Sequence, residues 1–303
     1  MLIDDILNNK EWKEVGALTS IRSCMEKCHK FILRRDFSMA VDELVHTNWI
    51  SNCEKIIPLC RLPYKACWVE TAQADRLAYR KNLSVREHEY IVKRVGWLLV
   101  EMDNTGAWLA QMFWSFDHND PKFQKNVVGS GGDKYEFWSR APFSASITTM
   151  RFDPHAKTAL EAMEPYGPSF FAINVVKRMK GRPNFDNLDF RGTISDWEGE
   201  GSFLMGTLGM LNSKNVVEST PMSFKKKNKG STRPLYDHHV ISIHRRYVKR
   251  NIDPSASSDG HKFRQHFCRG HFKVRRTGVF FWHAHRRGDP TLGIVRKDYE
   301  LTD

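Results

Sequence analysis

The stretch YIVKRVGWLLVEMDNTGAWLAQMFWSF, Tyr90 to Phe116, decides how this chain folds. Two apolar, aromatic-rich runs, Tyr90 to Met102 and Ala107 to Phe116, flank Asp103-Asn104-Thr105-Gly106, whose residue types accept turn dihedrals and bond their own backbone. They predict an antiparallel hairpin at the centre of a sheet. Toward the N-terminus, Ala66, Cys67, Trp68 and Val69 predict a buried strand, and Pro58 and Pro63 end any helix before it. The first sixty residues read as helix, with Leu18, Ile21, Met25, Cys28, Ile32 and Leu33 recurring at three and four and the pattern resuming from Ser38 to Trp49. Toward the C-terminus, Gly129 to Gly132 is a loop and Lys134 to Phe152 returns to strand character. Prolines 154, 165, 168 and 183 break Asp153 to Gly201 into short helix and loop, while Phe203 to Leu211 is apolar enough for a buried helix or strand, and the pattern leaves both open. The cationic run KKKNKGSTRP, 225–234, marks a boundary. The expectation is an α+β protein. Its body, 1–223, is helical over 1–60, mainly β over 65–152 and mixed over 153–223, so that a helical N-terminal layer covers a mainly antiparallel sheet. A basic, His-rich β module, 224–303, follows.

With 303 residues, 41% of them hydrophobic and 12% aromatic, the chain can fill a sizeable core, which excludes the disordered and fibrous classes. No run approaches the roughly 18 to 20 apolar residues that would span a bilayer. The opening MLIDDILNNKEWKE is acidic and amphipathic, unlike a secretory leader. Six irregularly spaced cysteines do not form a disulfide framework, so reduced thiols and a cytoplasmic location are expected. The net charge of +12 is unevenly placed: residues 1–223 hold 28 Lys and Arg against 28 Asp and Glu, and residues 224–303 hold 19 against 7. Eight of the thirteen histidines also lie in that last part. A neutral body with a basic end is the electrostatic footprint of a polyanion partner.

Lys262 to Val274 and Val279 to His285 read as two arms of a hairpin. A two-residue turn at Thr277-Gly278 would set Val274 opposite Phe281 and divide the residues into two faces by the period of two. One face holds Cys268, Gly270, Phe272, Val274, Val279, Phe281, His283 and His285. The other holds Arg269, His271, Lys273, Arg275, Phe280, Trp282, Ala284 and Arg286. Cations around aromatic rings suit single-stranded nucleic acid, since Arg and Lys pair with phosphates while bases stack on the rings. Arg245, Arg246, Arg269, His271, Lys273, Arg275, Phe280, Trp282, Arg286 and Arg287 are therefore the expected contacts, with Arg the better fork for phosphate.

Other residue types in the chain suit other chemistries. His266, Cys268, His283 and His285 carry zinc-type donors, although paired-cysteine spacing is absent. Cys24, Cys28, Cys53, Cys60 and Cys67, with His29 and His46, form a second set whose spacing equally suits helix packing. A metal-independent ribonuclease would need a base and an acid, for which His271 with His244, His283 or His285 supplies the residue types. Acidic pairs at Asp186 and Asp189, and at Glu198 and Glu200, read as solvated loop. The sequence calls for no cofactor and no membrane.

Several runs resemble uncharacterised proteins of tailed phages and prophages: Leu62-Pro63 with Trp68-Val69-Glu70; Arg94-Val95-Gly96-Trp97; Leu211-Asn212-Ser213-Lys214-Asn215; Pro234-Leu235-Tyr236 before His238-His239; and Arg269-Gly270-His271 with Trp282, Gly288-Asp289, Gly293 and Asp298-Tyr299. The resemblance implies a phage-encoded protein working in the host cytoplasm and carries no activity with it. The function expected is binding of RNA or single-stranded DNA in replication, transcription or host takeover. The alternatives are the His-dependent ribonuclease and an inhibitor or adaptor that docks on a host or phage protein.

Overall fold

The computed structural model describes residues 1–8, 19–77, 92–102, 105–116, 143–146, 148–168, 190–213, 217–223, 236–243, 264–268, 271–275, 278–282 and 285–295. Helices and a large mixed sheet make up the body, in keeping with an α+β protein. Nine strands form that sheet: β1 (His29–Leu33), β2 (Ala66–Ala72), β3 (Val92–Glu101), β4 (Trp108–Phe116), β5 (Phe143–Ala145), β6 (Thr148–Phe152), β7 (Met163–Pro168), β8 (Val217–Met222) and β9 (His238–Ile243). Their order is β7-β6-β4-β3-β2-β1-β9-β8, with β5 also on β4. The β3–β4 hairpin is antiparallel and lies inside the sheet, with Glu101 opposite Trp108 and Trp97 opposite Met112.

Among the described residues, the helical reading of residues 1–60 fails at His29–Leu33. His29–Leu33 is a strand, running parallel to both β2 and β9, while the other pairings of this sheet are antiparallel. A strand buried on both faces gives a nearly continuous apolar run, and five such residues between helices carry no period that separates strand from helix. Phe31 and Leu33 enter one core, while Lys30, which precedes Phe31, is buried toward the other face. Helix α3 (Arg35–Ile56) returns the chain to β2, the crossover that parallel neighbours require. β9 lies beyond residue 224 and is nonetheless a strand of this sheet, on β1.

Helices cover both faces. On one, α3 and α6 (Phe190–Leu211) bury Phe37, Val41, Leu44, Trp197, Phe203 and Leu208 against Val69, Trp97, Trp108 and Phe152. Residues 203–211, whose pattern left helix and strand open, thus belong to a helix. Gly209 lets α6 approach α3, since a Cβ there would stand 2.6 Å from Ile56 Cγ2. On the other face, α1 (Leu2–Asn8) and α2 (Thr19–Lys27) bury Leu2, Ile3, Ile6 and Met25 against Trp68, Leu98 and Phe113. Burial of a side chain of this size stabilises by about 1.5–3 kcal/mol, so the two layers hold the sheet from both sides. Two short helices complete the body: α4 (Gln73–Leu77) and α5 (Ala159–Ala162).

Residues in three short runs, 68–70, 94–97 and 211–215, are joints of this fold. Glu70 is fully buried and accepts from Leu2 N (2.8 Å), Ile3 N (3.3 Å), Trp68 Nε1 (2.9 Å) and Arg94 Nε. Gly96, opposite Glu70 in the ladder, leaves room for the Trp68 ring, which would stand 2.7 Å from an added Cβ at its Cη2 and closer still at Cζ2. Asn212 Nδ2 lies 2.8 Å from the carbonyl oxygens of both Leu59 and Arg61, tying the end of α6 to the chain before β2. Glu200 is not in a solvated loop: it lies on α6 and pairs at 2.8 Å with Arg76 of α4, whose side chain is 1% exposed and lies over Phe203. No helix among the described residues is long and apolar enough to cross a membrane.

Candidate functional site

Five further strands carry the basic C-terminal part: β10 (Arg264–Cys268), β11 (His271–Arg275), β12 (Gly278–Trp282), β13 (His285–Arg287) and β14 (Asp289–Val295). β11 and β12 pair antiparallel, with His271 opposite Trp282, Lys273 opposite Phe280 and Arg275 opposite Gly278. β10 and β13 pair antiparallel too, with Cys268 opposite His285 and His266 opposite Arg287. The β11–β12 pair forms a two-stranded sheet, and β10 and β13 belong to a three-stranded sheet with β14.

The register differs from the sequence expectation. The chain reverses between Arg275 and Gly278, and Val274 meets Val279 rather than Phe281. A slide of two residues leaves each position in its original alternation class, so an apolar pattern of period two cannot tell the two registers apart. His271, Lys273, Arg275, Phe280, Trp282 and Arg286 consequently remain one alternation class of register positions. Arg264, Arg286 and Arg287 are exposed. His266 Nδ1 lies 3.4 Å from the Arg264 carbonyl. Arg245, Arg246, His244, Arg269 and His283 lie outside the described residues, as do the side chains of His271, Lys273, Arg275, Phe280, Trp282, Cys268 and His285.

Among the described residues no three His, Cys, Asp or Glu side chains gather as a metal-holding group. In the N-terminal cysteine set, Cys24, Cys28, Cys53, Cys60 and Cys67 form no disulfide with one another. Burial pushes the Cys28 and Cys67 thiols up to about 12 and Cys60 higher, which opposes the thiolate a metal would need.

The body holds a second feature, which the sequence reading did not single out. Where β1 and β9 begin side by side, their ends and the ends of α2 and β8 border an open pocket of about 480 Å³. Lys27, His29, Lys30, Asp237, His238 and His239 are among its lining residues. Lys30 Nζ donates to the carbonyls of Glu26 and Cys28, each at 3.0 Å, and sits 5.0 Å from the centre of the Tyr236 ring. Burial lowers its ammonium below the ordinary value of 10.5. His238 Nδ1 donates to the Tyr236 carbonyl at 3.2 Å, since a carbonyl only accepts, and His239 Nδ1 lies 2.9 Å from Ser219 Oγ. His29 stacks on Tyr64 with ring centres 3.5 Å apart, and Tyr64 is 43% exposed. Neighbouring histidines at 238 and 239 were the available signal. His29, some two hundred positions earlier, joins them only because β1 and β9 are parallel neighbours.

No protein-family model matches the chain, and neither the curated proteins nor the solved structures contain a significant match to it.

Proposed function

We propose that this protein binds RNA or single-stranded DNA through its C-terminal hairpin, as a phage-encoded factor in replication, transcription or host takeover. The observation that carries the reading is the backbone register that sets Lys273 opposite Phe280 and His271 opposite Trp282. Directly opposed positions in an antiparallel ladder lie on one face of the sheet, so positions 271 and 273 each stand across from an aromatic position. Such a face pairs phosphates with cations while bases stack at about 1–3 kcal/mol each. The excess of 19 Lys and Arg over 7 Asp and Glu in residues 224–303 supports it, as do exposed Arg264, Arg286 and Arg287.

The test is a salt titration of binding to a fluorescent single-stranded RNA and its DNA counterpart. Each phosphate contact on a single strand contributes about 0.7 to the slope of log affinity against log salt. Replacing Arg269, Lys273 and Arg275 together by Ala should flatten the slope by about 2 and weaken binding at low salt. Unchanged slope and affinity would exclude this face. Cleavage of the RNA in EDTA, lost in His271→Ala with binding intact, would replace the binding reading with the ribonuclease one.

A further inference from the structure

The loop before β2, residues 60–65, sets an aromatic ring on the surface of the body and holds it there. Tyr64 is 43% exposed, yet its ring stacks on His29 with centres 3.5 Å apart and planes at 13°, and the Phe31 ring lies 6.1 Å from it. His29 and Phe31 alternate onto one face of β1, the face that α3 and α6 cover further along the strand. The Tyr64 carbonyl accepts from Cys67 Sγ at 3.4 Å, and the Lys65 carbonyl accepts from Glu101 N at 2.8 Å. These bonds tie the loop backbone to β2 and β3. A ring held this way loses little further freedom when a flat group stacks on it, so little of the stacking energy is spent on ordering.

The flanking residues give the incoming group its charge. Arg61 and Lys65 stand on either side of Tyr64 in the loop, and both are exposed. Among the described residues neither forms an ion pair. Tyr166 makes the contrast: it is 56% exposed on β7, but its neighbour Glu164 holds Arg151 at 2.6 Å, so no cation there is left for a partner. A stacking ring between two unpaired cations complements a base carried on a phosphate chain, whereas an apolar partner would leave both cations unanswered.

We propose that Tyr64 stacks a base of single-stranded nucleic acid, with Arg61 and Lys65 on the adjoining phosphates. The site rests on the nucleic-acid reading of the protein but not on the hairpin, and it gives the strand a contact on the body.

The experiment titrates the full chain with a fluorescent single-stranded oligonucleotide over a range of salt. Tyr64→Ala removes a ring and no charge, so affinity should fall roughly 5- to 150-fold with the salt slope unchanged. Tyr64→Phe keeps the ring and should bind within about threefold of the wild type. Arg61→Ala/Lys65→Ala should flatten the slope by about 1.4, at about 0.7 per phosphate contact. In the unaltered protein, irradiation with a 5-iodouridine oligonucleotide should crosslink within residues 60–67, a readout that no folding defect can mimic. Wild-type affinity in Tyr64→Ala, equal losses in Tyr64→Phe and Tyr64→Ala, or crosslinks that all fall elsewhere would each overturn the proposal. Arg269→Ala/Lys273→Ala/Arg275→Ala keeps the two readings apart. If it binds as the wild type does while Tyr64→Ala is weakened, the hairpin reading fails and this one stands. The reverse result removes Tyr64 alone, and a wild type that binds no oligonucleotide removes both.

Discussion

Glu70→Gln is the sharpest perturbation of the body, because the geometry around Glu70 leaves an amide no good orientation. Oε1 accepts from Leu2 N and Arg94 Nε, and Oε2 from Ile3 N and Trp68 Nε1. Glutamine keeps the shape but turns one acceptor into an NH2 donor. In one orientation that group faces Leu2 N and Arg94; in the other it faces Ile3 N and Trp68. Two donors lose their acceptor whichever way the amide turns, at about 1–3 kcal/mol for each group left buried. The Arg94 side chain is 32% exposed and recovers part of its loss from water, and the Ile3 bond is the longest of the set at 3.3 Å. The expected destabilisation is therefore about 2–4 kcal/mol. Urea unfolding followed by far-ultraviolet circular dichroism measures it, and hydrogen exchange over residues 2–8 reports whether α1 loosens first. A variant within about 0.5 kcal/mol of the wild type, with exchange in α1 unchanged, would refute the claim that Glu70 anchors α1 to the sheet.

Gly96→Ala drives a Cβ into the buried Trp68 ring and should destabilise by about 1–3 kcal/mol in the same urea assay; a neutral result would show that the ring shifts freely. Arg76→Leu strands Glu200, which is 15% exposed, and should cost about 3 kcal/mol. Arg76→Leu/Glu200→Leu should recover most of that loss, and a double variant as unstable as the single would contradict it. Asp4 tests the pH dependence: burial raises its carboxyl above 3.8, so the folded chain keeps a proton that the unfolded chain has released. Its contribution to stability then declines as pH rises from about 3.8 through the raised value. Asp4→Asn should flatten that decline in urea midpoints measured across the window, and a steeper decline would reverse the assignment.

What the sequence determined by itself is local. Turn chemistry at Asp103 to Gly106 between two apolar runs was enough for the β3–β4 hairpin, because turn residues and adjacent strands need no distant partner. The charge segregation past residue 224 was legible for the same reason: it is a count along the chain. His29–Leu33 was not legible, because its strand state is imposed by β2 on one side and β9 on the other, and five apolar-rich residues after a helix look like more helix. The hairpin register was half legible, since the period of two fixes which positions alternate together but not a slide by two. The Glu70 joint and the histidine-lined pocket belong wholly to the tertiary structure. Glu70 meets α1 some seventy residues back, and His29 comes beside the start of β9 only through the long-range pairing of β1 with β9. Residue types announce what chemistry a side chain can do, whereas only long-range pairing decides which side chains do it together.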